Sequence, residues 1–365
     1  VDPRMAHERE EPLMAALRAA SRAESGAPIH SGIFVLANTL LGAGMLGLPA
    51  AFGQCGYVTG TVFILSFAVC ACTGLHLLSE AADLVGRPSS FNRLANAAVP
   101  GGGVFFDLAI AIKCFGVATS YLIVVGDNLP RAMAGFGVTA PLLLRRRTWI
   151  LASLLAAGPL AFMRRISALR HTSTAAVLCV LAITLMVLLF ALATDIPLLS
   201  PYAPGQPAIR GAFDAVGTAS DSVRALPIFV FSFTCHQNII SISNELARPT
   251  PRRVMTLVAA AVGAAAAVYL AIAHAGYFTF GDLVCSDILS SYPSSNALVA
   301  VARCLIAVVV TCCYPLQAHP ARGCIASVVG AARRATKRRA EARRRRLMQQ
   351  NARPGRQDTG GGAGL

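Results

Sequence analysis

What most limits the folding of this chain is a central stretch of 300 residues, from 31 to 330, that carries only 27 charged side chains. Soluble domains keep about a quarter of their residues charged, and a surface this poor in charge cannot be solvated by water. The stretch is therefore read as a bundle of helices in lipid. About 20 apolar residues cross ~30 Å of hydrocarbon as a helix with every backbone group bonded internally. Eight windows have this character, at 31–53, 57–79, 104–126, 148–163, 172–193, 223–245, 254–280 and 295–318, the fourth being the shortest. The first begins near Ser31 and is too long for the apolar core of a signal peptide, so it reads as a span that stays.

The formal charge of +15 is not spread over the surface: residues 331–365 alone hold 11 Lys and Arg against two acids. That local excess argues against a nucleic-acid groove. Basic residues favour cytoplasmic loops. With the N-terminus inside, 24 Lys and Arg fall on inner segments against five on outer ones, while Lys113, Arg224 and Arg303 fall within spans. Both termini are thus expected in the cytoplasm. A Pro-rich outer segment, 194–222, divides five spans (31–193) from three (223–322), flanked by an N-terminal segment 1–30 and a basic tail 323–365. The tail's 331–348 portion reads either as a basic helix on anionic lipid or as a disordered stop signal.

Eleven cysteines are scattered through the apolar runs without zinc or disulfide spacing, and read as small polarisable packing residues. No metal or cofactor is expected. Gly-x-Ser-x-Gly, paired intramembrane aspartates, His-Glu-x-x-His and a nucleotide-binding loop are all missing from the sequence, which argues against an enzyme or a nucleotide-driven pump.

Two spans are interrupted at corresponding places. The first contains Gly42, Gly44, Gly47 and Pro49 within 13 residues, Ala37 to Pro49, and the sixth has Pro227 followed by the polar cluster Ser232, Thr234, His236, Gln237 and Asn238. Free backbone groups and polar side chains at that depth are tolerated only against protein or a water-filled cavity. Breaks in the first span of each half point to an inverted-repeat secondary transporter with its site at the repeat interface. Glycines that merely let helices pack closely are the competing reading.

At these residues the sequence resembles the amino acid/auxin permease family, which includes the sodium-coupled neutral and the vacuolar amino acid transporters. The matching stretches are Asn38 to Gly44 with Leu48 to Phe52, Lys113 to Leu122 with Gly126-Asp127, Leu226 to Phe231 with Thr234 to Asn238 and Asn244-Glu245-Leu246, and Tyr314 to Gln317 with His319 to Arg322. The resemblance implies an all-α multi-pass membrane protein with the leucine-transporter-type fold, a 5+5 inverted repeat. Here that fold is incomplete, with about eight transmembrane helices. It implies an amino acid substrate, its carboxylate received by the backbone of Gly42, Ala43 and Gly44, and its side chain enclosed by Ser232, Phe233, Thr234 and His236. Asn38 matches an asparagine near the coupling cation. The eighth span usually offers that ion a hydroxyl two residues before the proline matched by Pro315, but Cys313 stands there, with Thr311 two residues earlier. A thiol suits a hard cation poorly, so the coupling ion is expected to be H+ or Na+, with Na+ in doubt.

The family has about eleven spans and the repeat needs ten, so the second repeat lacks its last two helices. With Val1 in place of Met, the chain is expected to be a fragment that transports poorly alone. The function expected is secondary active transport of neutral amino acids in a plasma or vacuolar/lysosomal membrane. A transporter-like amino acid sensor, or a non-transporting fragment, is the alternative.

Several charged residues stay open between two roles. Lys113 reads as a pathway cation or as a side chain reaching the inner interface, and Arg303 as a partner of Asp107 or Asp127 or as a snorkelling cation. Glu245 reads as a cap or as an inner-gate partner of Arg248. His236 reads as a proton or substrate contact, or as a support for the break. His76 and His274 read as structural.

Overall fold

The computed structural model describes residues 26–192, 196, 199–202 and 210–351. Most of the segment 1–30, parts of the linker 194–222 and the end of the tail therefore lie outside the described residues. Helices make up the fold, in the order α1 (Ile29–Leu40), α2 (Leu48–Cys55), α3 (Tyr57–Val85), α4 (Phe91–Ala98), α5 (Gly103–Gly135), α6 (Arg146–Ala161), α7 (Arg170–Leu192), α8 (Ala219–Ser232), α9 (His236–Glu245), α10 (Pro251–Phe280), α11 (Ile288–Ser291) and α12 (Ala297–Asn351). The one β contact among the described residues is an isolated parallel bridge between Ala27 and Leu246.

All eight apolar windows lie in helical segments. Six helical stretches are long and apolar enough to cross a membrane, and a seventh is the bent pair α1 with α2. The fourth window is the exception, because α6 has only 16 residues. The chain is thus a multi-pass α-helical membrane protein. Its outward faces agree with that: Val69, Phe105, Phe115, Leu155 and Leu181 are exposed, a band of apolar surface that water would punish and acyl chains accept.

The packing follows the order of the spans. In the core α10 lies against α3 and α1, α12 runs along α5, and α2 rests on α8. Each early span therefore meets the one five places later: the first with the sixth, the second with the seventh, the third with the eighth. Small residues make the close contacts possible, as where Ala261, Ala265 and Ala273 of α10 are fully buried.

The basic tail departs from a disordered stop signal, for α12 continues without interruption through Arg343, Arg344 and Arg345 to Asn351. Its Ala, Arg, Lys and Glu are strong helix formers, so the helix propagates beyond the apolar segment. The described portion beyond Ala332 is exposed.

Candidate functional site

The first break begins where α1 ends at Leu40. Gly42 takes an extended conformation (φ −97°, ψ −157°) before a 3-10 turn at Ala43–Gly47, and Pro49 sits in the first turn of α2, where its missing N–H costs nothing. The two halves of the span are bent by 43°. Ala43 and Gly44 open the 3-10 turn, so their N–H groups are of the kind left without a partner at a helix start. Such a start attracts a carboxylate.

The second break lies opposite. Helix α8 stops at Ser232, three residues pass, and α9 starts at His236. Hydroxyls restore part of the lost bonding: Ser232 Oγ donates to Ile228 O (2.8 Å) and Thr234 Oγ1 to Val230 O (2.7 Å). The two breaks touch at glycines. A Cβ on Gly44 would lie 3.2 Å from Ser232 Oγ and 3.3 Å from Phe231 Cδ1, and one on Gly42 would lie 3.1 Å from Tyr121 Oη. A side chain at either glycine would crowd these neighbours by a few tenths of an ångström.

A buried tyrosine ties the breaks together. Tyr269 of α10 directs its hydroxyl at both Leu40 O (2.5 Å) and Ser232 O (2.8 Å), the last carbonyls before each interruption. Its ring meets Phe233 edge-on at 5.2 Å. Asn238 adds a second tie, donating from Nδ2 to Thr39 Oγ1 at 3.0 Å.

Between the breaks lies a cavity of about 10 Å3, room for about one water. Gly42, Ala43, Gly44, Ser232 and Thr234 line it. Phe233 and His236 do not. The Phe233 ring packs on Tyr269, and His236 turns to α3, where a Cβ on Gly74 would lie 2.7 Å from its Nε2. The cavity also takes in Lys113, Tyr121 and Gln317, which sequence reasoning had not assigned to the pocket. Lys113 is half-buried here and forms no ion pair among the described residues, so it is a cation facing the breaks rather than one reaching for the interface. Tyr121 and Gln317 sat inside the quoted stretches, but no sequence period told which way they point.

Asn38 and Cys313 meet across 275 residues, the thiol Sγ lying 3.1 Å from Asn38 Oδ1 and 3.2 Å from Asn38 O. Asn38 Nδ2 donates to Ser173 Oγ of α7 (3.2 Å). Thr311 is elsewhere, its hydroxyl 2.9 Å from that of Ser153 in α6. The oxygens of Asn38 thus face a thiol, and no second hydroxyl joins them from Thr311.

One charged residue is placed differently from expectation. Arg303 pairs with neither Asp107 nor Asp127, because Asp107 accepts from Asn92 Nδ2 (2.7 Å) and Asp127 pairs with Arg146 (3.2 Å). Nor does Arg303 snorkel, since it is buried and gives Nη2 to Leu289 O (3.0 Å). Glu245 takes the capping role: its two oxygens accept from the N–H groups of Ile166 (3.0 Å) and Ser167 (2.8 Å). His274 bonds Thr61 and Leu270 O and packs on Phe52, and His76 pairs with Glu80 one turn away, both apart from the cavity.

Residues 26–353 match the family described as transmembrane amino acid transporter protein. The chain belongs to that family. Among its relatives are vacuolar amino acid transporter 5 of Schizosaccharomyces pombe, 37% identical over 300 residues, covering 82% of this chain and 69% of the relative. Vacuolar amino acid transporter 6 of Saccharomyces cerevisiae is 36% identical over 309 residues (83% and 67%). Human sodium-coupled neutral amino acid transporter 7 is 30% identical over 292 residues (78% and 61%). Members of this transmembrane amino acid transporter family are carriers, not enzymes, and the match takes in both broken spans.

Proposed function

We propose secondary active amino acid transport of the leucine-transporter type for this chain, crossing the membrane eight times with both termini in the cytoplasm. The observation that carries this is the pair of facing breaks in the first and sixth spans, with glycine backbone on one side and hydroxyls on the other. The pairing of each span with its counterpart five places on supports the inverted repeat. Relatives named as vacuolar transporters support a vacuolar membrane.

In the mechanism, the N–H groups of Ala43 and Gly44 take the substrate carboxylate, and the Lys113 ammonium adds charge on the same wall. Ser232 and Thr234 border the amino acid's other end. The cavity of about 10 Å3 between the breaks is too small for any amino acid, whereas an open cleft of about 460 Å3 lies beside it on Ala43, Gly44, Lys113 and Phe231, so the room for a substrate is on that side of the breaks. Alternating access follows as the first, second, sixth and seventh spans rock against the third, fourth and eighth.

Proton coupling is favoured over sodium, because Asn38 faces the thiol of Cys313 where a hard cation would want oxygen. The test is uptake of a labelled amino acid panel in transport-deficient cells expressing the chain, with sodium replaced by choline and external pH stepped from neutral to acid. Uptake that survives choline and rises with acidity is expected. Uptake abolished by choline refutes proton coupling. Specific binding without flux under any condition refutes transport by this chain and favours a sensor.

A further inference from the structure

A second, larger cavity lies away from the breaks. It has a volume of about 550 Å3, within the range that holds small organic ligands. Three segments wall it: Gly26 to Pro28 before α1, Arg165 to His171 at the entry into α7, and Asn244 with Glu245 at the end of α9.

The walls are held by backbone contacts. Ala27 N donates to Glu245 O (2.7 Å) and Ala247 N to Ala27 O (2.9 Å), forming the isolated bridge. Asn244 is engaged on both sides with Ser89, through Nδ2 to Ser89 O (2.8 Å) and from Ser89 N to Oδ1 (3.1 Å). Glu245 is spent on the N–H groups of Ile166 and Ser167. What remains free to meet a ligand is basic. Arg165, Arg170 and His171 are exposed, neither arginine forms an ion pair among the described residues, and Arg170 Nε leans on His171 Nε2 at 3.1 Å. The lone carboxylate in the cavity already has a hydrogen bond at each oxygen.

We propose that this pocket binds a multiply charged organic phosphate, the chemistry shared by a phosphoinositide headgroup and a soluble inositol phosphate. Basic pockets between spans at a membrane surface recognise such groups, and arginine matches phosphate in charge and in hydrogen-bond geometry. Because the three walls belong to the first, fifth and sixth spans, an anion bridging Arg165 and Arg170 to the backbone near Gly26 restrains their separation. The regulatory part, slower uptake when the anion is bound, rests on the transporter reading. The binding part does not.

The experiment reads thermal stability of the purified full chain in phosphatidylcholine nanodiscs with and without phosphatidylinositol bisphosphate, and separately with soluble inositol trisphosphate. A rise in melting temperature that is lost in the Arg165→Gln/Arg170→Gln variant supports the site, whichever ligand produces it. A rise with the lipid alone assigns the headgroup, and a rise with the soluble ligand assigns the free phosphate. Removal of two charges is expected to weaken the binding about 30-fold. The single variant Arg165→Gln gives a smaller loss if the double variant misfolds. A rise that persists in the double variant but disappears when Arg343, Arg344, Arg345 and Arg346 are changed to Gln overturns the proposal in favour of the tail, and no rise with either ligand overturns it outright. In proteoliposomes the bound ligand lowers amino acid uptake by the wild type and leaves the Arg165→Gln/Arg170→Gln variant unaffected. Binding with unchanged uptake refutes the regulatory part alone.

Discussion

The bridging hydroxyl of Tyr269 offers a single-atom test of how the breaks are held. Tyr269→Phe keeps the ring, its burial and its edge contact with Phe233, and removes only the donor shared by Leu40 O and Ser232 O. Leu40 O keeps the N–H of Gly42 at 2.8 Å, so the loss falls mainly on Ser232 O. A buried acceptor deprived of its partner costs about 1–3 kcal/mol, and with one hydrogen shared between two acceptors the total is taken as about 2 kcal/mol. For a chain of 365 residues, with about 2.1 cal/mol/K of unfolding entropy per residue, that corresponds to a fall in melting temperature of about 2–3 °C. The assay is fluorescence-detected melting of detergent-solubilised wild type and variant at one scan rate, with Tyr277→Phe beside it as a control that also removes a tyrosine hydroxyl, but one that bonds the linker at Asp214 N rather than the breaks. Uptake by Tyr269→Phe should fall as well, because the two break ends lose their common anchor. If Tyr269→Phe melts within a degree or so of the wild type and transports normally, the hydroxyl does not secure the breaks and the reasoning is refuted.

Other perturbations test separate parts of the structure. Gly44→Trp, which drives a ring into Ser232 Oγ and Phe231, should abolish uptake while membrane insertion, judged by surface labelling or fractionation, is retained; normal uptake would remove the first break from the site. Glu245→Gln should lower the melting temperature by the worth of roughly one charge-assisted hydrogen bond, about 1.5–3 kcal/mol, because an amide offers a single acceptor to the N–H groups of Ile166 and Ser167; an unchanged melt would contradict the capping role. Asp287, in the loop before α11, is pushed above its ordinary value of 3.8 by burial, against opposing pulls from Leu289 N, Asn128, Arg303 and Arg131. A raised folded value means that its stabilising share is complete below 3.8 and fades as pH rises through the folded value. Melting curves from acid to neutral pH should therefore slope downward there, and Asp287→Asn should flatten the slope; an unaltered slope in the variant would sink the assignment.

Much of the fold was legible in the sequence because lipid leaves so few options. An apolar window of about 20 residues must be a helix, and the windows found their helices. The shortest, at 148–163, gave the 16-residue α6. The breaks were legible for the same reason, since Gly42, Gly44 and Pro49 cannot sit inside a regular helix without cost. Direction of side chains was not. His236 and Thr234 are two residues apart beside the same interruption, yet one turns to Gly74 and the other to the cavity. The backbone leaves the helical path there, so no period predicts orientation. Arg303 was misread for another reason: its acceptor is a backbone carbonyl, that of Leu289, and carbonyls carry no signature in the sequence.

The unbroken course of α12 has a consequence for the charge it carries. From Arg322 to Asn351 the helix adds about 45 Å at 1.5 Å per residue, while the field of charged headgroups decays over a Debye length of about 8 Å at physiological salt. A helix of that length carries Arg343, Arg344 and Arg345 about 30 Å beyond Arg322, several screening lengths away from it. Exposed beyond Ala332, its described arginines form a rigid cationic rod in line with the last apolar span.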